Sequence, residues 1–206
     1  TAHLNRPLKE QNWRLNPKIM QANNLLLAKS VHKKPERCHT ANVVTLKPDT
    51  RWCSDGFEIR CWNWEVVRVV FSLDYCDRKA ISWSATTGGI NSVMVQYLLT
   101  ESVEKRFGNT LYLPHAVEWL TDGSCYIADA TRTFAASLGF IVCTTPVLSP
   151  ENNGMAESFV KTFKRDYGYV NDLPDAVTVM EKLTEWMEDY NNWHPHKGLK
   201  MQSPRE

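Results

Sequence analysis

Three strand-like segments follow one another between Arg51 and Thr86 with only short connections, and this succession constrains the fold more than any other feature of the chain. Arg51 to Arg60 alternates apolar and polar residues, Val66 to Tyr75 is a β-branched run, and Ala80 to Thr86 is a third apolar segment ended by Gly88-Gly89. Such a series predicts an antiparallel meander. Beyond Gly89 the texture changes. Asn91 caps a helical stretch in which Val95, Leu98, Leu99, Val103 and Phe107 recur at helical spacing up to Gly108. A strand (Val117 to Thr121), a helix (Ala130 to Leu138, stopped by Gly139) and a strand (Phe140 to Thr144) come next.

Ser149-Pro150-Glu151 predicts the start of a helix running to about Tyr167, with proline at its first position and an acid where the helix dipole favours it. A last amphipathic helix is expected over Pro174 to Asn191, with Val177, Met180, Leu183, Trp186, Met187 and Tyr190 on its apolar face. Trp186 and Met187 read as core. Three strands followed by alternating helices and strands make an α/β chain, with a mixed central sheet of about five strands flanked by helices.

Ahead of this core, residues 5–27 carry a helix, turn, helix pattern around Asn16-Pro17, and residues 28–50 lack periodicity and read as a basic linker. The partition expected is therefore 1–27 as a small helical segment, 28–50 as a basic linker and 51–206 as an α/β core with a C-terminal helix and tail. The 206 residues hold 24 Lys and Arg against 23 Asp and Glu, which excludes a uniformly basic nucleic-acid binder. The balance is local, however. Residues 1–54 hold ten Lys or Arg and three acids, net +7, so the remainder is net −6. A basic arm, including Lys33 and Lys34, joined to an acidic domain reads as a nucleic-acid grip attached to a domain that uses its carboxylates.

No run approaches the 18 apolar residues needed to cross a bilayer, and no charged-then-apolar leader opens the chain, so a soluble, intracellular protein is expected. The six cysteines form no CxxC pair and read as reduced, packed thiols; His32 and His39 near Cys38 read as solvated. The first residue is not Met and the chain stops at Ser203-Pro204-Arg205-Glu206, which suggests a fragment.

Three carboxylates stand out by placement. Asp55 is a charge in mid-strand, Asp122 ends the strand of Val117 to Thr121, and Glu157 lies on the helix after Pro150. Each alone also suits an ordinary surface acid. Converging, they would repel one another, and a pair of Mg²⁺ ions would relieve that repulsion. On the helix of Glu157, Asn153, Lys161 and Lys164 fall at offsets that share its face. Lys161 suits either DNA contact or a plain ion pair with Glu157. His194 and His196 are read either as surface residues of the tail or as functional ones.

The residues that carry a family resemblance are Arg51-Trp52-Cys53-Ser54-Asp55-Gly56-Phe57-Glu58, Thr87-Gly88-Gly89, Glu118-Trp119-Leu120-Thr121-Asp122-Gly123-Ser124, Ser149-Pro150-Glu151, Asn153-Gly154, Ala156-Glu157-Ser158-Phe159-Val160-Lys161-Thr162, Lys164-Arg165-Asp166-Tyr167, Tyr190-Asn191, His194-Pro195-His196 and Ser203-Pro204. On these, over essentially the whole length, the chain resembles the second-reading-frame (OrfB) transposases of the insertion-sequence-3 family, insertion-element-two branch, with a core similar to retroviral integrases. The resemblance implies an RNase H-like fold in which Asp55, Asp122 and Glu157 hold two Mg²⁺ or Mn²⁺ ions. It implies cleavage and joining of DNA strands at element ends, by in-line attack of water or a 3′-hydroxyl. It also implies that residues 1–27 are a partial helix-turn-helix DNA-binding segment and residues 51–206 a catalytic core. Asn153, Lys161, Lys164 and Arg165 become candidate DNA contacts. Implied partners are double-stranded DNA, both element ends and target, and further copies of the chain; no membrane is involved, and the location is the bacterial cytoplasm.

The chain departs from the family pattern at one point. Asp122 is followed directly by Gly123, without the usual intervening Asn, and 34 residues separate it from Glu157, one fewer than is usual. One residue is about 3.5 Å of chain reach, more than catalytic placement tolerates. The expectations are thus an active transposase core or, alternatively, a catalytically impaired DNA-binding remnant. A ribonuclease acting on hybrid duplexes would share the same fold.

Overall fold

A computed structural model describes residues 45–108, 110, 112–121, 123–144 and 154–206, all within the unit Val43–Glu206. The expected helical segment, the basic linker up to residue 44, Lys33, Lys34, Asp122, and Asn153 with the Pro150 helix start lie outside the described residues.

Strands β1 (Arg51–Arg60), β2 (Val66–Asp74) and β3 (Ala80–Thr86) form the expected meander, with Asp55 opposite Phe71 and Phe71 opposite Trp83. Two further strands, β4 (Val117–Thr121) and β5 (Phe140–Thr144), join on the far side of β1 and run parallel to it. The order is β3-β2-β1-β4-β5. The change of direction follows from the connections: tight links join β1 to β3, whereas helices carry the chain between the parallel strands.

Alternation along β1 sends successive side chains to opposite faces of the sheet. Trp52 faces a layer made with Val70, Ile81 and Trp119 against helix α1 (Ser92–Phe107), short helix α2 (Ser124–Ile127) and α3 (Asp129–Ser137). Cys53, Phe57 and Ile59 face helices α4 (Gly154–Phe163) and α5 (Ala176–Trp193). The sequence reading anticipated α1, capped by Asn91, whose side chain accepts from Met94 N at 3.0 Å. It did not anticipate α2.

Two features of the C-terminal half correct the sequence reading. Val177 and Met180 are exposed, and the buried stripe of α5 is Ala176, Val179, Leu183, Trp186, Met187, Tyr190 and Asn191. Asp175 caps this helix by accepting from Thr178 N, which sets the phase of the first turn one step away from Val177. In addition, α4 does not continue as a plain helix to Tyr167; it widens into a π turn over Lys164–Gly168.

The N-terminal end of β1 is closed by a buried carboxylate. Asp74 accepts from the backbone N–H groups of Asp49, Cys76 and Asp77 and from Trp52 Nε1, while Arg106 of α1 reaches Asp49, Asp77 and Asp74. Burial, and then the neighbouring Asp77, push the Asp74 carboxyl above its ordinary range. Among the described residues Cys53, Cys61, Cys76, Cys125 and Cys143 are free thiols, the first two buried. Among the described residues no helix is long and apolar enough to cross a membrane.

Candidate active site

Asp55 is the fifth residue of β1 and half-buried, and its Oδ1 accepts from the backbone N–H of Gly56 at 2.7 Å. By alternation it shares the face of Cys53 and Phe57, the face covered by α4 and α5. Its charge is felt nearby. The Cys53 thiol is pushed up chiefly by burial and secondly by Asp55, and the buried Tyr126 hydroxyl is raised by the same two causes.

The backbone on the other side of Asp55 is held by β4. The parallel register runs Arg51 to Glu118, Trp52 to Trp119, Cys53 to Leu120 and Ser54 to Thr121. Inside it, the fully buried Trp119 donates from Nε1 to Ser54 Oγ at 2.8 Å. After Thr121 the chain passes through Asp122 to Gly123, whose φ of +96° is a conformation that favours glycine. Gly56 is confined as well: a Cβ there would stand 2.8 Å from Ile90 Cδ1.

Glu157 lies in the first turn of α4 and is exposed. The helix is seated by Ala156, Phe159 and Phe163, and Phe159 packs 4.5 Å from Phe71, centroid to centroid, the register partner of Asp55. Phe163 packs 5.5 Å from Phe57, two residues beyond Asp55. The helix of Glu157 therefore crosses the strand segment that carries Asp55, on the same face.

The cations on this helix have separate surroundings. Lys161 Nζ is 3.7 Å from Glu157 Oε2, both side chains well exposed, so the plain ion pair exists. Lys164 enters the π turn and stands 5.8 Å from the centre of the Phe57 ring. Arg165 is engaged by its neighbour, with Nε and Nη2 donating to the two oxygens of Asp166 at 2.5 and 2.6 Å, which holds that carboxyl below its ordinary range.

Sequence reasoning left the tail histidines open, and the structure packs both. His194 stacks on Tyr190 at 5.4 Å and His196 meets the same ring edge-on at 5.1 Å. His196 is pushed down to about 4 by burial first, then by His194 and Arg78. No periodicity signals this arrangement, because both residues come after the end of α5. Among the described residues no three His, Cys, Asp or Glu side chains converge as a metal site.

Comparison with known proteins agrees with this architecture. The integrase core domain family matches twice, over residues 45–150 and 142–204. The insertion-element IS2E protein InsD of Escherichia coli (strain K12) is 52% identical over 192 residues, covering 92% of this chain and 87% of the relative. Transposase InsD for insertion element IS2A/D/F/H/I/K of Escherichia coli is also 52% identical over 92% of this chain, which spans 63% of that longer protein. A chain in the electron cryomicroscopy structure of the simian T-cell lymphotropic virus intasome in complex with PP2A regulatory subunit B56 gamma shares the fold. Its TM-score is 0.61 at 17% identity, over 80% of this chain and 55% of that one. A five-stranded mixed sheet with helices on both faces and these sequence matches lead to one assignment: the chain belongs to the integrase core domain family, among the transposases of the insertion-sequence-3 family, with an RNase H-like fold.

Proposed function

We propose that this chain is the catalytic core of a transposase that cleaves and joins DNA strands at insertion-element ends, with Asp55, Asp122 and Glu157 as the carboxylates of the site. One observation carries the reading. The parallel ladder ends on Ser54 and Thr121, each of which is followed in the sequence by an aspartate, and a third carboxylate rides on the helix that crosses β1 on the face of Asp55.

The donor set fits a hard divalent cation. Asp and Glu oxygens are the ligands Mg²⁺ and Mn²⁺ prefer, and the Cys53 thiol, two residues before Asp55 on β1, is fully buried and pushed up by that burial. Two Mg²⁺ ions held by Asp55, Asp122 and Glu157 would supply activation of the attacking oxygen and stabilisation of the leaving one. The protein's own part is positional. The Trp119–Ser54 bond and the Phe159–Phe71 contact fix strand and helix against each other, and the Gly56 N–H orients the Asp55 carboxylate. Lys161 and Lys164, with Arg165, Asn153, Lys33 and Lys34, are proposed to grip the DNA backbone as a multimer brings two ends together. The bacterial relatives support a cytoplasmic, DNA-associated location.

A second reading, a catalytically impaired DNA-binding remnant, is favoured by the direct junction of Asp122 and Gly123. A strand-joining assay with element-end duplex and Mg²⁺ or Mn²⁺ separates the two. Metal-dependent joining supports the first, and DNA binding without any joining supports the second.

A further inference from the structure

At the C-terminal end of α4, about 280 Å³ of cavity opens between the strand edge and the π turn, lined by Glu58, Ile59, Arg60, Lys164, Tyr169 and Leu173. Gly168 also lines it; this residue is buried, yet a Cβ built on it meets nothing within 4 Å, so the space lies where its side chain is missing. The lining is net positive. Its one acid, Glu58, is engaged by Arg68 Nε at 2.9 Å, and among the described residues neither Arg60 nor Lys164 has a carboxylate partner. One aromatic ring belongs to the lining, and two more stand on the adjoining turn. Tyr169 is 77% exposed, and the β1–β2 turn, tied to the cavity wall by Trp62 N donating to Leu173 O at 2.8 Å, carries Trp62 and Trp64 at 63% and 79% exposure. Exposed aromatics beside unpaired cations are the composition that stacks unpaired bases and tracks their phosphates.

The position is as informative as the composition. Lys164 is seven residues from Glu157, about 10 Å along a helix. Arg60 is five residues from Asp55, about 17 Å along a strand. With one phosphate per about 3.4 Å on each strand, the cavity stands roughly three to five nucleotides from the carboxylates.

We propose that this cavity is a nucleobase site: it receives an unpaired base of the DNA three to five nucleotides from the reacting phosphate, with Tyr169 stacking on the base and Arg60 and Lys164 meeting the adjoining phosphates. The inference rests on the function proposed above and adds to it a preference for splayed over fully paired ends.

The test compares affinities of the full chain for two element-end duplexes, one fully paired and one mismatched at the third to fifth nucleotides from the reacting phosphate. The wild-type chain is expected to bind the splayed duplex about tenfold more tightly, the scale of one base–aromatic stack. Tyr169→Ala should bring the ratio of the two affinities to about one, Tyr169→Phe should retain it, and Gly168→Leu, which fills the cavity from its floor, should also abolish it. A ratio near one for the wild-type chain, or a preference that survives both Tyr169→Ala and Gly168→Leu, would overturn the base site; a protein partner seated there would give that result. If the wild-type chain joins strands yet shows no preference, only this inference fails. If it binds neither duplex, the proposed function fails with it.

Discussion

Ser54 of β1 pairs with Thr121 of β4 in the last matched step of the parallel ladder, and covalent continuity brings Asp55 and Asp122 directly after that pair. If, as proposed, the two aspartates share a divalent cation, that ion offsets the repulsion between their charges. Mg²⁺ or Mn²⁺ should therefore raise the melting temperature of the chain. At about 100 times its dissociation constant a bound ion adds ~2.7 kcal/mol to the folded state. Asp55→Asn should remove this gain, as read by thermal unfolding with and without metal.

The same ladder step contains a buried bond whose loss has a definite sign. Trp119 and Ser54 are both fully buried, and the indole N–H has Ser54 Oγ as its acceptor. Ser54→Ala leaves that N–H without an acceptor and should destabilise the fold by ~1–3 kcal/mol. Urea unfolding measures it, and the slope with denaturant should stay unchanged.

Lys161 sits within ion-pair distance of Glu157 in this structure, and both side chains are exposed. Such pairs contribute little to stability, so Lys161→Gln should leave the unfolding free energy nearly unchanged. Its effect should appear on DNA. Losing one phosphate contact lowers the slope of log affinity against log salt by about one. Binding titrations at several salt concentrations check this.

His196 gives the fold an acid-sensitive joint. Its folded pKa lies at about 4, below the ordinary value of 6.5, because burial disfavours the charged ring, with His194 and Arg78 adding to the effect. The unfolded chain thus takes up a proton between about pH 6.5 and about pH 4 that the folded chain refuses. Unfolding free energy should fall as pH drops through that window and level off below it. His194 is shifted the same way by burial, against the opposing pull of Asp166. His196→Gln should flatten the dependence, as followed by urea unfolding across the window.

Much of this architecture was legible in the residues because periodicity and caps report local structure. The alternation of Arg51 to Arg60 and the β-branched run after Val66 gave strands, and Asn91 and Gly108 marked both ends of α1. The features that escaped were decided by tertiary contact. Val177 and Met180 satisfy the helical period, yet the Asp175 cap and the β1–β2 turn bonded at Leu173 and Pro174 fix α5 with those two residues outward. The π turn at Lys164 has no signature in residue type, although it separates Lys164 from the environment of Lys161. Likewise Arg165, basic in sequence, is engaged by the very next residue. At the site, the motif residues gave Asp55 and Glu157 their places on strand and helix, whereas the aromatic contacts that bring α4 across β1 are seen only in the packed fold.

The central claim, that three carboxylates make this chain a metal-dependent DNA strand-joining enzyme, is tested most directly by strand transfer. The full chain, element-end duplex and Mg²⁺ or Mn²⁺ are combined, and joined product is measured for the wild type, Asp55→Asn, Asp122→Asn and Glu157→Gln. The account predicts joining by the wild type that vanishes on chelation and falls by at least about a hundredfold in each variant, the scale on which removing one preorganised charge-stabilising group acts. No joining by a wild-type chain that still binds the duplex, or joining that survives chelation and all three substitutions, would contradict it.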